Sequence, residues 1–181
     1  MVSWQKIARR IRVPLGFLFA AAYIYLAHPT MLSIGAGSAI ALLGILIRAS
    51  ASGHVRKNEQ LATSGPYAYT RNPLYLGSII IAAGFAVASR SGWVASIAIG
   101  ILWVIYIPVI RGEEEFLRAR FPEFAEYSRR VPRLFPRYLR AQQGSPEGFS
   151  WHLYWKHREY NAAVGAALMV VALMLKIHFE P

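Results

Sequence analysis

Five stretches of this chain are too apolar for an aqueous surface and sit too close together for a soluble core. A membrane-crossing helix takes about 20 mostly apolar residues, with a range of about 17–25. Val13 to Ala27 is one such stretch and ends at His28-Pro29. Met31 to Ile47 is the second, and the short His-Pro-Thr connection reads as the turn of an antiparallel helical hairpin. Leu74 to Ala88 is apolar but short. At about 1.5 Å per residue it covers some 22 Å, so it must lean, borrow flanking residues or thin the bilayer. Gly92 to Ile110 comes after Ser89-Arg90-Ser91, and Asn161 to Ile177 is the fifth. Composition agrees: 55% of residues are hydrophobic and 16% charged, against roughly 25% charged in a soluble domain. The spacing predicts an all-α integral membrane protein with about five transmembrane helices. Small residues recur within the spans, at Gly35, Gly37 and Ser38, at Gly77 and Ser78, and at Gly165 and Ala166. Such residues let membrane helices approach closely, although any single one could equally face lipid.

Charge sets an orientation. Lys6, Arg9, Arg10 and Arg12 precede the first span; Arg48, Arg56, Lys57 and Arg71 lie between the second and third; and a long basic stretch from Arg111 to Arg158 succeeds the fourth. The other two connections carry one His and one Arg. Basic residues collect on the cytoplasmic side, which places the N-terminus and both long loops in the cytoplasm and the C-terminus across the membrane. No cleavable signal peptide is expected, because no convincing small-residue cleavage site comes after the first apolar run. The net charge of +11 is concentrated in these inside loops, so nucleic-acid binding is not expected. All nine acids are Glu and there is no Cys, which excludes disulfides, thiolate metal sites, a cysteine nucleophile and aspartate-dependent loops.

Function should sit on the two polar segments, Arg48 to Asn72 and Arg111 to about Trp155, since loops on a rigid scaffold commonly carry sites. Within the second, Phe116, Leu117, Phe121, Phe124 and Tyr127 recur at spacings of three and four. That period predicts an amphipathic helix from Glu113 to Arg130 lying in the membrane interface. Residues 142–150, with Gly144, Pro146 and Gly148, read as a linker. It separates a membrane domain over 1–141 from a C-terminal segment over 151–181. No internal repeat is evident.

Two constellations concentrate chemistry. Gly65-Pro66-Tyr67-Ala68-Tyr69-Thr70-Arg71-Asn72-Pro73-Leu74-Tyr75-Leu76-Gly77 gathers tyrosine faces and hydrogen-bonding groups around the start of the third span. A structural role accounts for much of it: Pro73 suits a first helical turn, Asn72 can cap the helix, and tyrosines belong at membrane interfaces. Arg111-Gly112-Glu113-Glu114-Glu115-Phe116-Leu117 places three adjacent carboxylates where the fourth span ends. Acids in a first helical turn are favourable. The alternative is recognition of a cation, since a sulfonium or amino group between carboxylates and tyrosine faces is well matched.

The combination resembles the isoprenylcysteine carboxyl methyltransferase and phospholipid methyltransferase superfamily. The likeness rests on Gly65 to Gly77, on Glu113-Glu114 with Leu117, on Tyr127 to Pro132 with Pro136, and on His54-Val55 with Asn58-Glu59. It covers about Gly44 to Pro136. It implies an integral-membrane enzyme that uses S-adenosylmethionine in a cytoplasmic pocket and takes a lipid or prenylated small-molecule substrate from the bilayer. Carried over residue by residue, Lys57 to Leu61, Tyr67, Asn72, Pro73 and Tyr75 would line the cofactor pocket. Glu113 or Glu114 would hold the cofactor's amino group. Arg111, with His54, would meet the substrate. Asn72 stands where many members have His, and anchoring on Arg111 would select Glu115 instead of Glu113. The last 35 residues have no counterpart in the resemblance.

Methyl transfer from a sulfonium needs chiefly proximity and desolvation. A carboxylate acceptor needs no base. An amine acceptor must be neutral, and His54 and the glutamates are the proton acceptors available. A contrasting reading is a non-catalytic scaffold whose basic loops bind anionic lipid, but that role needs neither the tyrosines nor the glutamates.

Overall fold

The computed structural model describes residues 16–56, 59–136 and 148–179, and the regular structure among them is entirely helical. Lys57, from the expected cofactor set, lies outside the described residues, as does most of the expected linker. Three helices are long and apolar enough to cross a membrane: Met31–Ser52, Gly92–Arg120 and Tyr160–Phe179. Gly16–Leu26 (α1) and Pro73–Ser89 (α3) are apolar but shorter.

The α1–α2 hairpin forms as the sequence implies. Thr30 caps α2 (Met31–Ser52): its Oγ1 accepts from the Ser33 N–H, and Ser33 Oγ accepts from the Thr30 N–H at 2.9 Å. This reciprocal box satisfies donors that the first helical turn leaves unpaired. α2 and α3 then pack antiparallel along a seam of small residues. A Cβ on Gly84 would stand 2.5 Å from the Gly37 carbonyl oxygen, and one on Gly77 would stand 2.6 Å from both the Gly44 carbonyl oxygen and Arg48 Cγ. Backbone therefore meets backbone, with glycines seven residues apart on each helix. Gly37 and Gly77 are among the small residues expected to matter from sequence; Gly44 and Gly84 are not. Gly35 and Gly165 meet nothing within 4 Å and are not part of any close approach.

At the end remote from the polar loops, helices are tied by bonds to backbone carbonyls. Buried Tyr23 donates to the Phe85 carbonyl at 2.9 Å, Ser33 Oγ to that of Ala88 at 2.9 Å, and the His28 N–H to that of Ser89 at 2.8 Å. Lys176, near the end of α8 (Tyr160–Phe179), donates to the Ile24 carbonyl at 2.8 Å. Leu173 is fully buried with Tyr23 and Ala27. At its other end α8 is preceded by Glu159, which pairs with Arg48 near the opposite end of α2. α8 therefore runs the whole height of the bundle.

The fourth span is one continuous helical rod, built of α4 (Gly92–Ile101), a wide π-type turn (Leu102–Tyr106) and α5 (Ile107–Arg120). Pro108 explains the wide turn: it supplies no N–H and crowds the carbonyl four residues back. The rod places Glu113 to Glu115 well inside α5. They are not first-turn acids, so the capping explanation for the triplet does not hold. The single amphipathic helix expected over Glu113 to Arg130 is also corrected. α5 ends at Phe121, which is extended (φ −124°, ψ 109°), and a separate short helix α6 spans Phe124–Arg130. Pro122 is the cause, because the residue before a proline is pushed out of the helical region. The last helix before α8 is the short α7 (Trp151–Lys156), capped by the Ser150 hydroxyl.

Candidate active site

Asn72 occupies the N-cap position of α3, yet its side chain makes no capping bond. Its amide instead donates to Glu114 Oε1 at 3.2 Å and to the Arg133 carbonyl at 3.0 Å. The expected capping role is thereby overturned: the nearest strong acceptor is a buried carboxylate, not the helix's own backbone. Glu114 is 6% exposed. Its Oε2 accepts from both Arg133 Nε at 3.0 Å and Nη2 at 2.8 Å, and Arg71 Nε stands 3.6 Å from Oε1. The segment after α6 is stitched down by the Arg71 N–H donating to the Pro132 carbonyl at 2.9 Å and by Thr70 Oγ1 donating to that of Arg133 at 3.2 Å.

The chain's two motifs thus meet through one carboxylate, held by an amide and two guanidinium groups. Burial lowers the Arg71 pKa while Glu114 opposes the shift; arginine nonetheless keeps its charge in proteins. Arg71 also lies over the Phe124 ring at 5.9 Å, a cation–π geometry. Behind it Tyr127 donates its hydroxyl to the Tyr67 carbonyl at 2.8 Å. Burial pushes both tyrosine hydroxyls well above their ordinary pKa, so both are neutral phenols at physiological pH. Arg71 and Arg133 against Glu114 leave one positive charge in excess.

Of the residues expected from sequence, Asn72 and Glu114 touch directly. Arg111, Glu115 and Arg118 join Glu114 and Arg133 in lining a cavity of about 300 Å³. Arg111 is exposed and makes no ion pair among the described residues. The strut for the buried glutamate is Arg133. Glu113 is exposed and acts on Tyr67 through space. Leu61 is buried against Phe121 and Phe124, and Pro73 is buried in the first turn of α3. Tyr75 belongs to a different patch, edge-on to Tyr106 at 5.6 Å beside Ile105 and Val109. His54 lies outside the cavity lining: its Nδ1–H donates to the Ser50 carbonyl at 2.7 Å, and its ring stands edge-on to Phe149. Sequence reasoning missed Arg133 and Glu159. Arg133 sits directly after the Tyr127–Pro132 stretch, and Glu159 is the single acid directly after Lys156-His157-Arg158.

An apolar helix bundle with a cavity at its polar end fits an integral-membrane protein. The chain belongs to the phospholipid methyltransferase family, which it matches over residues 15–123, more than half of its length. Over 82 residues it is 44% identical to the cobalt-zinc-cadmium resistance protein CzcN of Cupriavidus metallidurans. It is 39% identical over 82 residues to the nickel-cobalt-cadmium resistance protein NccN of Alcaligenes xylosoxydans xylosoxydans. Each match covers 45% of this chain and 38% of the relative, so the chain spans well under half the length of these two proteins. No solved structure matches. The family match ends before α6, so Tyr127, Arg133 and everything from α7 onward lie beyond it.

Proposed function

We propose that the protein transfers a methyl group from S-adenosylmethionine to a lipophilic acceptor at the membrane, with the site facing the cytoplasm. The observation that carries this reading is the Asn72–Glu114 contact, which joins the two family motifs at the wall of the Arg111 cavity. The donor set suits the cofactor. An amino-acid end needs a carboxylate for its ammonium and a cation for its carboxylate, and the cavity offers Glu114 and Glu115 beside Arg118. A carboxylate has about four acceptor positions; Asn72 and Arg133 take three, which leaves one on Oε1.

In this reading Asn72, Arg71 and Arg133 hold Glu114 in place, and Glu114 receives the amino group. Tyr67, Pro73 and Leu61 supply apolar and aromatic surface behind it; Tyr75 stands in the separate patch with Tyr106, and Lys57 lies outside the described residues. Glu113 is the second carboxylate beside Tyr67. Arg111 anchors an anionic group on the substrate, either a prenylcysteine-type carboxylate or the acidic part of a lipid whose amine is methylated. His54 is the further candidate on the substrate side. When bound, the sulfonium would supply an activated methyl group to the acceptor's oxygen or nitrogen, with a neutral thioether as the leaving group. An amine acceptor gives up a proton, for which Glu115 is the exposed carboxylate on the cavity wall.

Calorimetry with S-adenosylhomocysteine on the detergent-solubilised protein tests the reading. Wild type binds, and Asn72→Ala or Glu114→Gln weakens binding about 10- to 150-fold, the size of one charge-assisted hydrogen bond at about 1.5–3 kcal/mol. Unchanged affinity in both folded variants, or no binding by wild type, overturns it. A labelled-methyl screen across lipid extracts and prenylcysteine analogues then identifies the acceptor. Reporter fusions at the two ends test the orientation, with a cytoplasmic N-terminus and a non-cytoplasmic C-terminus expected.

A further inference from the structure

The stretch leading into α8 lies beyond the family match, yet it is anchored to the same end of the bundle as the candidate site. The Ser150 N–H donates to the Gly53 carbonyl at 2.9 Å, and His157 Nδ1–H to the Ser52 carbonyl at 3.1 Å. Phe149 covers Gly53 so closely that no Cβ fits there. The strongest tie is Glu159, whose Oε2 receives Arg48 Nε at 3.1 Å and Nη2 at 2.8 Å while its Oε1 receives Nη2 at 2.9 Å. Both side chains are largely buried, at 22% and 12% exposure. Arg48 Nη1 then donates to the Leu74 carbonyl at 3.2 Å and to Ser78 Oγ. Leu74 sits between Pro73 and Tyr75. Arg48 and Glu159 are also both close enough to Tyr67 to act on it through space.

We propose that Glu159 is a positioning residue for the methyl-transfer site. It holds the Arg48 guanidinium in one orientation, and Arg48 in turn fixes the first turn of α3, from which Asn72, Pro73 and Tyr75 project. A planar guanidinium gripped on one edge by a carboxylate presents its other edge in a single direction. Without that grip Arg48 is a half-buried cation with several rotamers, and the carbonyl of Leu74 loses a fixed donor. The inference rests on the methyltransferase reading. It adds that a segment outside the family match is a working part of the site, not only an extra membrane anchor.

The test compares two ends of one helix in the full-length protein. Glu159→Gln removes the charge that orients Arg48. Lys176→Gln removes the long charged donor that reaches the Ile24 and Tyr25 carbonyls at the remote end. Ser78→Ala removes one Arg48 contact without touching α8. S-adenosylhomocysteine affinity and thermal midpoint are measured for each. Affinity is expected to fall about tenfold in Glu159→Gln, the effect of losing a charge-assisted contact. It should fall by a smaller factor in Ser78→Ala and stay within about twofold in Lys176→Gln, although both α8 variants lower the midpoint. Glu159→Asp should recover part of the loss. If folded Glu159→Gln and Ser78→Ala both bind like wild type, the pair is a clasp for α8 and the inference is wrong. Should Glu159→Gln fail to fold, Ser78→Ala decides alone. If wild type itself does not bind, the methyltransferase reading fails instead, which keeps the two outcomes apart.

Discussion

The two ends of this bundle are fastened by different means. At the remote end a tyrosine, a serine, a lysine and one backbone N–H donate to carbonyls at or near helix termini: Phe85, Ala88, Ile24 and Ser89. The Ala88, Ser89 and Ile24 carbonyls are among those a helix end leaves unpaired, and Lys176 brings the only charge among these four donors. At the site end bonds to carbonyls are joined by fasteners charged on both sides: Glu114 with Arg133 and Arg71, and Arg48 with Glu159. Removing one neutral bond costs little, because the chain can repair a helix end with water or a neighbouring group. Removing one charge from a buried cluster strands the others. On the proposed function, the remote end therefore carries stability alone, whereas the site end couples stability to binding.

Four substitutions break or sharpen that contrast, in order of expected effect. Gly84→Leu is the severest. Overpacking a core usually costs about 1–3 kcal/mol when neighbouring side chains can shift, but here the obstacle is the Gly37 backbone, so folded protein should be lost from detergent extracts by size-exclusion chromatography. Normal yield would mean the α2–α3 seam can part. Glu114→Ala comes next. It leaves Arg71 and Arg133 uncompensated and should destabilise by about 3 kcal/mol, the low end for breaking a buried pair because Arg133 is half exposed, with cofactor binding abolished. A stable variant that still binds S-adenosylhomocysteine would erase the distinction between the ends. Tyr23→Phe deletes one remote-end bond and should cost only about 0.6 kcal/mol, the average for a hydrogen bond between membrane helices; any loss of affinity would contradict the separation. Arg111→Ala is the mildest for the fold. Thermal midpoint and cofactor affinity should barely move, while KM for the lipid rises or kcat falls. If affinity and stability drop together, Arg111 supports the glutamates after all.

Legibility in the sequence divides along similar lines. The spans, the hairpin turn at His28-Pro29-Thr30 and the breaks beside proline are local matters, set by apolar runs and a few punctuating residues. The bounds of α3 and α8 fall within one or two residues of the apolar stretches. The seam is half legible: Gly37 and Gly77 stand out, but which glycine faces a backbone depends on the partner helix. The break at Phe121 is hidden by a periodicity that continues through it, although Pro122 marks the place. In the site, the Asn72–Glu114 meeting is foreshadowed by the motifs. The choice among three adjacent glutamates is not, because rotation about α5 decides it and no neighbour in sequence records that rotation. Arg133 and Glu159 act only across the fold, over 19 residues to Glu114 and 111 to Arg48.

The π-type turn at Leu102–Tyr106 gives the rod a slip joint. Each residue of an ordinary α-helix rotates its successor by about 100°, so in an unbroken rod any insertion or deletion in the bilayer half would swing Glu114 away from Asn72. A wide turn takes up one surplus residue, as such turns commonly do inside α-helices, and lets the halves on either side keep separate phase. Deleting one residue within Leu102–Tyr106 should therefore remove the surplus residue and leave Glu114 still aimed at Asn72. The same deletion between Ile107 and Glu113 would rotate a neighbouring residue into its place. The thickness of the membrane half and the aim of the carboxylate can then vary independently across generations of sequence change.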